Sequence, residues 1–263
     1  MKVAILCGGQ GTRLREVSET LPKPMVPVGG KPIIWHIMKI YAAHGINEFV
    51  LLLGYKGEVI RDYFLNYASF ASDVTVDLSK PGHDRLTFHK QVTEDWKITL
   101  VNTGLNTMTG TRFRRAYSHL INDDYFLATY GDGVGNVNIT ALINYHKSHG
   151  KIATLTGVYP PGRFGELEID NDGAVVSFNE KPQVSGGRIN GGFFVFHRSF
   201  LKDYLDDRED LVLEEEPMRN LAKDRQLHMF EHDGFWMPMD TPREHSLLNN
   251  LWEKQKAPWR LWK

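Results

Sequence analysis

One stretch decides the fold of this chain: Leu6-Cys7-Gly8-Gly9-Gln10-Gly11-Thr12-Arg13-Leu14, with Pro22-Lys23-Pro24-Met25 behind it. The apolar run at 3–6 predicts a buried strand that opens an α/β fold, and the glycines then lead into a helix near Gly11. Glycine lets backbone N–H groups approach a ligand closely, and a helix N-terminus attracts anions. Together with the positive charges of Arg13 and Lys23, this stretch suits a polyphosphate.

A second interpretation of the same stretch is a tight strand-to-helix turn in which Arg13 and Lys23 are simply solvated. The spacing matches neither of the common nucleotide motifs: it is not G-x-x-x-x-G-K-[ST], and the acidic ribose partner of a dinucleotide site is not evident. The glycines alone therefore leave both interpretations open.

Composition limits the class of protein. The chain has 263 residues, 41% of them hydrophobic, and a net charge of −1, so no basic field points to nucleic acid. Its single cysteine, Cys7, excludes an internal disulfide framework. No apolar run approaches the ~18 residues of a membrane span. The first residues run straight into the predicted strand, so we expect a cytoplasmic protein without a signal peptide.

The order of predicted elements indicates a doubly wound, mostly parallel α/β sheet with a small β appendage. Strands are predicted at 48–53, 98–101, 125–130, 153–158 and 189–196, and helices at 32–44, from 57, and at 139–149. Two alternating runs within 73–97 predict a hairpin excursion at the sheet edge. We expect a single domain over 1–263, with a C-terminal tail portion at about 160–263.

Two aspartates follow predicted strands. Asp132 lies between glycines just past the strand at 125–130, where open sheets bind ligands, and Asp240 follows the apolar run at 235–239. A carboxylate at each position could hold Mg²⁺. The alternatives are a plain glycine turn at Asp132 and a helix cap at Thr241 and Pro242.

Other polar segments allow two interpretations each. The loop at 103–112 offers many hydrogen-bonding groups to a ligand, but it also suits a helix cap with solvated arginines. Lys181 follows a short strand, where it suits a phosphate monoester or is a solvated turn residue. The acids Glu214, Glu215 and Glu216 begin a predicted helix, and we interpret them as structural.

The two-part pattern G-G-x-G-T-R-L…P-K-P-M resembles the signature of the sugar-phosphate nucleotidylyltransferases. Further segments resemble the glucose-1-phosphate cytidylyltransferase family: Lys31-Pro32-Ile33-Ile34-Trp35-His36-Ile37-Met38, Thr129-Tyr130-Gly131-Asp132-Gly133, Ile189-Asn190-Gly191-Gly192-Phe193-Phe194 and Pro238-Met239-Asp240-Thr241. That resemblance implies a nucleotide-binding, GT-A-like nucleotidylyltransferase fold. It also implies a Mg²⁺-dependent reaction of CTP with α-D-glucose 1-phosphate, giving CDP-glucose and pyrophosphate for CDP-deoxysugar (O-antigen type) biosynthesis. Members of the family assemble as homo-oligomers, often hexamers.

The resemblance also assigns site residues. It places the nucleotide against Leu6, Cys7, Gly8, Gly9, Gln10, Gly11, Thr12, Arg13, Lys23, Thr107, Arg112 and Gly131. It gives the metal to Asp132 and Asp240, and the sugar phosphate to Lys181, Asn190 and Gly191. Arg13, Lys23 and Lys181 are the implied catalytic residues. The chain departs from its relatives at Asn102, where they usually carry aspartate.

Competing functions remain at this stage. The same fold could serve another hexose 1-phosphate, could use UTP or dTTP, or could be a non-catalytic sugar-nucleotide sensor. A glycosyltransferase would usually show Asp-x-Asp where this chain has Gly131-Asp132-Gly133. Relatives that use thymidylyl or uridylyl groups typically carry a Gln-Pro-x-Gly-type stretch in the second loop. The segment 107–111 lacks that stretch, which favours CTP.

Overall fold

The structure of the protein is a computed structural model that describes residues 1–9, 20–89, 94–160, 166–169, 175–179 and 187–262. In chain order the strands are β1 Val3–Cys7, β2 Pro27–Val28, β3 Lys31–Pro32, β4 Glu48–Leu53, β5 Asp73–Val76, β6 Leu86–His89, β7 Lys97–Asn102, β8 Tyr125–Tyr130, β9 Gly133–Gly135, β10 Ala153–Val158, β11 Glu166–Ile169, β12 Val175–Asn179, β13 Ile189–Asn190, β14 Phe194–His197, β15 Leu227–His232 and β16 Trp236–Pro238. The α-helices are α1 Ile33–Ala42, α2 Gly57–Leu65, α3 Tyr67–Ala71, α4 Thr109–Arg115, α5 Tyr117–Leu120, α6 Ile139–His149, α7 Phe200–Asp203, α8 Glu216–Lys223 and α9 Pro242–Glu253. Short 3-10 turns occur at Lys23–Met25 and Gly82–Arg85.

Four parallel strands form the centre of the main sheet, in the order β8-β1-β4-β7. All five residues of β1 are buried, and so are five of the six in β4, because helices cover both faces of these strands. On the β8 side, β14 and β10 continue the sheet in antiparallel pairs, and β15 runs parallel to β10 at that edge. The predicted mostly parallel α/β sheet is therefore confirmed.

Alternation along β1 divides the core between the two faces of the sheet. Val3 and Ile5 belong to a cluster that includes the buried stripe of α1, whereas Ala4 and Leu6 belong to a cluster rich in phenylalanine. The helix α1 ends close to Gly45, whose φ of +78° suits glycine. The helix predicted at 32–44 is thus confirmed, within two residues at its C-terminal end.

The prediction of one continuous strand at 189–196 is wrong. Strands β13 and β14 both pair with β10, but Gly192 (φ +74°) and Phe193 (φ +50°) interrupt the extended backbone between them. Asn190 supports the bend, because its Oδ1 accepts the Gly192 N–H at 3.0 Å. Sequence periodicity misses this bend because the interrupting residues are as buried as those of a central strand.

The predicted excursion is confirmed as the antiparallel hairpin of β5 and β6, which pair with each other and not with the main sheet.

Near the C-terminus, Trp259 is fully buried and its Nε1 donates to His36 Nδ1 at 3.3 Å. Within the described residues, no helix is both long enough and apolar enough to cross a membrane.

Candidate functional site

The candidate site lies where the parallel strands end. The carboxyl ends of β1, β4, β7 and β8 share one edge of the sheet, because these strands are parallel and in register. Gly8, Gly54, Thr103 and Gly131 therefore begin four loops that start close together. Open α/β sheets bind their ligands at this edge.

A short pairing of β9 with β16 brings the two aspartates together. The antiparallel register places Pro238 opposite Gly133, and the Met239 N–H donates to the Asp132 carbonyl at 2.8 Å. Asp132 and Asp240 are separated by more than a hundred residues in sequence, yet both contact one ammonium group. This pairing is what builds the carboxylate pair.

Lys23 lies between the two carboxylates. Its Nζ donates to Asp132 Oδ2 at 2.6 Å and also to Asp240 Oδ1. Burial alone would lower the pKa of Lys23, but the two carboxylates outweigh burial, so the pKa is raised and the ammonium stays charged. The described structure thus places Lys23 in direct contact with both predicted metal ligands.

A cavity of about 290 Å³ opens beside this trio. The residues that line it are Leu6, Cys7, Gly9, Lys23, Pro24, Thr109, Tyr130, Gly131, Asp132 and Asp240. Seven of these ten were predicted site residues; Pro24, Thr109 and Tyr130 are the additions. Two regions predicted from opposite halves of the chain, the glycine-rich loop and the aspartates, therefore share one cavity.

The position of Asp240 is fixed by the helix that follows it. Thr241 is the N-cap of α9, and its side chain accepts the Glu244 N–H at 3.3 Å. Glu244 in turn accepts the N–H of Asp240 at 2.7 Å and that of Thr241 at 2.9 Å. The predicted helix cap at Thr241 is thus confirmed, and Asp240 faces Lys23, whereas its role as a metal ligand remains a prediction.

Arg112 is buried and holds the loops at the sheet edge. Its guanidinium donates to Thr103 Oγ1 at 2.7 Å, to the Gly104 carbonyl at 2.8 Å and to the Gly8 carbonyl at 3.1 Å. A Cβ at Gly8 would lie 2.2 Å from Arg112 Cζ, so only glycine allows this approach. Arg112 therefore positions the first glycine loop, and its predicted contact with nucleotide remains a prediction.

The Gly8 carbonyl is consequently already occupied. It accepts from Arg112 Nη2 and from the Tyr55 N–H, at 3.1 and 3.2 Å. A carbonyl oxygen has two lone pairs, so it has no capacity left for a third donor. The Gly8 carbonyl is thus a poor acceptor for the amino group of a nucleotide base.

Two glycines of the site are required by close packing. A Cβ on Gly131 would lie 2.6 Å from the Leu6 carbonyl, and one on Gly191 would lie 2.6 Å from Val158 Cγ1. Cys7 lines the cavity, and burial together with the charge of Asp132 raises the pKa of its thiol, which disfavours the nucleophilic thiolate. Gly131 and Cys7 thus shape the cavity wall through their small size, and Gly191 allows close packing against β10.

Asn190 and Gly191, two of the predicted sugar-side residues, lie beside the cavity and are not among its lining residues. Asn190 Nδ2 donates to Tyr130 Oη at 3.0 Å, and the Gly191 carbonyl accepts from Trp236 Nε1 at 2.8 Å. Asn190 is thus one hydrogen bond from a lining residue. Thr107 is buried against Arg115, which donates to its Oγ1 at 2.8 Å.

Several predicted residues lie outside the described part of the chain: Gln10, Gly11, Thr12, Arg13 and Lys181. Asn102, the departure from the family pattern, has a local role. Its Oδ1 accepts the Gly104 N–H at 3.2 Å, in the turn that follows β7.

Sequence reasoning missed Tyr130, Thr109 and Glu214 as site residues. Tyr130 donates to Glu214 at 2.6 Å, and Thr109 donates to the same carboxylate at 2.8 Å. The signal for Tyr130 was its place directly before Gly131. Glu214 gave no signal, because an acid at a helix start is explained by the helix dipole alone.

The chain is similar to known proteins over its whole length. A family model described as nucleotidyl transferase matches residues 2–250. A protein of Salmonella typhimurium named glucose-1-phosphate cytidylyltransferase is 51% identical over 262 residues, which cover 100% of both chains. A Bacillus subtilis protein named probable glucose-1-phosphate cytidylyltransferase is 45% identical over 100% of both chains. The crystal structure of HddC from Yersinia pseudotuberculosis complexed with GMP-PN shares the fold, with a TM-score of 0.68 and 24% identity over 95% of this chain and 99% of that one.

Proposed function

The chain belongs to the nucleotidyl transferase family and, within it, to the glucose-1-phosphate cytidylyltransferases, and we propose that it makes CDP-glucose from CTP and α-D-glucose 1-phosphate. One observation of the structure carries the proposal: Asp132, Asp240 and Lys23 meet in one cavity at the carboxyl edge of the sheet, next to Leu6, Cys7 and Gly9. Carboxylates and an ammonium group beside a glycine loop suit a metal-bound polyphosphate.

The reaction is a displacement at phosphorus. A phosphate oxygen of glucose 1-phosphate attacks the α-phosphorus of CTP, a new P–O bond forms, and the bond to pyrophosphate breaks. A phosphate monoester is already ionised at neutral pH, so no general base is needed. Since two anions must meet, the protein's task is to position them and to neutralise their charge.

The charges of the site favour a divalent cation. Two carboxylates and one ammonium group leave the trio of Asp132, Asp240 and Lys23 with a net charge of −1, which would repel a triphosphate. The carboxylate oxygens of Asp132 and Asp240 line the same cavity and are the hard donors that Mg²⁺ prefers. Bound there, Mg²⁺ would supply positive charge at the α-phosphate.

Among the described residues that line the cavity, Lys23 is the one with a positively charged side chain. Its raised pKa keeps the ammonium charged at neutral pH, so the group can stabilise phosphate oxygens throughout the reaction. An ammonium group has three N–H donors, and within the described residues two of them are used on Asp132 and Asp240. We propose that the third donates to a phosphate oxygen when the nucleotide binds.

The resemblance supplies the remaining roles. We propose that Arg13, with the amides of the first loop, holds the leaving phosphates, and that Lys181 holds the attacking phosphate. Asn190 and Gly191 are proposed to lie beside the sugar. The bond between Asn190 and Tyr130, a lining residue, supports this placement.

Release of pyrophosphate tests the proposal. The protein, CTP, glucose 1-phosphate and Mg²⁺ should yield pyrophosphate and CDP-glucose in equal amounts, identified by mass spectrometry. A sugar-nucleotide sensor would bind the ligands and release no pyrophosphate. Product formed only with a different hexose 1-phosphate would assign the chain to that sugar instead.

We also propose a cytoplasmic location, a place in CDP-deoxysugar synthesis of the O-antigen type, and one domain over 1–263 whose C-terminal part, at about 160–263, binds the sugar.

We further propose assembly as a homo-oligomer, with a hexamer as the first expectation. Exposed apolar side chains support assembly. Leu65, Phe70 and Leu78 are 72%, 66% and 83% exposed, on α2, α3 and the segment after β5. Light scattering coupled to size exclusion measures the assembly.

A further inference from the structure

Four polar side chains form a chain of hydrogen bonds along the rim of the cavity. The Thr109 hydroxyl donates to Glu214 Oε2 at 2.8 Å, and the Tyr130 hydroxyl donates to Glu214 Oε1 at 2.6 Å. Asn190 Nδ2 then donates to Tyr130 Oη at 3.0 Å. Because Thr109 and Tyr130 both line the cavity, the chain runs across its rim from the start of α4 to β13.

The Glu214 carboxylate is held by Thr109 through one oxygen and orients Tyr130 through the other. Thr109 is itself held, because its Oγ1 accepts the Leu213 N–H at 2.9 Å, in the same segment as Glu214. One carboxylate oxygen is thereby tied to the start of α4. The other oxygen takes the Tyr130 proton and sets the direction of that hydroxyl.

This bonding determines what Tyr130 can offer to a ligand. Its single proton is used on Glu214 and one lone pair accepts from Asn190 Nδ2, so its oxygen has one lone pair left and can only accept. An oxygen on the rim that can only accept suits a ligand that donates hydroxyl protons, as a sugar does, and does not suit phosphate oxygens.

We propose that Glu214 is a positioning residue of the sugar subsite: it orients the Tyr130 hydroxyl so that the phenol oxygen accepts a hydrogen bond from a hydroxyl group of the sugar phosphate. The inference rests on the proposed function and extends it to sugar selection. Glu214 acts only through Tyr130. Its removal should therefore weaken binding of the sugar phosphate and leave the nucleotide side unchanged.

The test compares three variants with a matched control. Glu214→Ala removes the acceptor, Glu214→Gln keeps one oxygen that can accept from Tyr130, and Tyr130→Phe removes the hydroxyl alone. Glu215→Ala is the control, because Glu215 is the adjacent acid, is exposed, and shows no side-chain hydrogen bond or ion pair within the described part of the chain.

Loss of one hydrogen bond to the sugar predicts a roughly tenfold rise in KM for glucose 1-phosphate in Glu214→Ala and Tyr130→Phe. Glu214→Gln should be intermediate, and Glu215→Ala should equal the parent. The KM for CTP should change by less than about twofold, the scatter expected of independent sites. Calorimetric binding of glucose 1-phosphate gives the same comparison without turnover.

Deoxy analogues of glucose 1-phosphate identify the hydroxyl that bonds Tyr130. With the parent protein, one analogue of the 2-, 3-, 4- and 6-deoxy series should have a KM roughly tenfold higher than that of glucose 1-phosphate. With Tyr130→Phe or Glu214→Ala, the KM of that analogue should equal the KM of glucose 1-phosphate. Equal KM values in Glu214→Ala and Glu215→Ala would overturn the inference. So would a parallel rise in KM for CTP, which would mean a general structural role. A parent that releases no pyrophosphate would instead refute the proposed function.

Discussion

Replacing Lys23 by methionine probes the centre of the site. The substitution keeps the approximate length of the side chain but removes the ammonium group that contacts both Asp132 and Asp240. Breaking a fully buried pair costs about 3–5 kcal/mol, and an exposed pair contributes about 0–1 kcal/mol. The Lys23 side chain is only 11% exposed, whereas the carboxylates are 34% and 28% exposed, which places this site between the two limits. We expect Lys23→Met to lower the free energy of unfolding by about 1–3 kcal/mol in a metal chelator.

Mg²⁺ should remove this deficit. If the carboxylates bind the cation, its charge replaces that of Lys23, so the difference between parent and variant should shrink in saturating Mg²⁺. Lys39→Met is the control, because Lys39 pairs with Glu94 at 2.9 Å with both side chains about 20% exposed, on α1 and away from the cavity. Denaturant unfolding with chelator and with Mg²⁺ measures both variants. A deficit in Lys23→Met that is the same in both buffers, as expected for Lys39→Met, would refute the placement of the metal.

Three further predictions concern the carboxylates, the sugar phosphate and acid stability. Asp132→Asn or Asp240→Asn should abolish Mg²⁺-dependent pyrophosphate release while circular dichroism stays unchanged, and turnover within about tenfold of the parent would remove that residue from the metal site. Lys181→Ala should lower kcat/KM by about two to three orders of magnitude with CTP binding unchanged, and weaker CTP binding would instead place Lys181 on the nucleotide side. Burial lowers the pKa of His36 to about 4, so its contribution to stability is complete above its unfolded pKa of 6.5 and is lost as the pH falls from there towards 4. Between pH 7.5 and 5 the parent should lose about 2 kcal/mol more than His36→Gln, and equal losses in urea titrations would contradict this origin.

The position of the site at the edge of the sheet could be predicted from the sequence, because the ends of the strands are marked by recognisable residue patterns. Apolar runs followed by glycine identified β1, β4 and β8, and parallel strands necessarily bring their carboxyl ends to one edge. Asp132 could thus be placed at this edge from local patterns, whereas the assignment of Lys23 to the same site came from the family resemblance.

The contacts within the site could not be predicted in this way. Asp240 reaches Asp132 through the three-residue strands β9 and β16, which are too short to show any periodicity. The bridge from Lys23 to both carboxylates, and the use of Glu214 by Tyr130, depend on tertiary packing. The bend at 191–193 could not be predicted, because its residues are as buried and apolar as those of a continuous central strand.

The choice of nucleotide tests most directly whether the chain is a cytidylyltransferase. Cytosine presents an amino donor where uracil presents a carbonyl acceptor, so a mismatched site costs about 1–3 kcal/mol. With glucose 1-phosphate and Mg²⁺ fixed, we predict that kcat/KM for CTP exceeds that for UTP by roughly 10- to 100-fold, and dTTP should also be the weaker substrate. Values for UTP or dTTP equal to that for CTP would contradict the cytidylyl assignment.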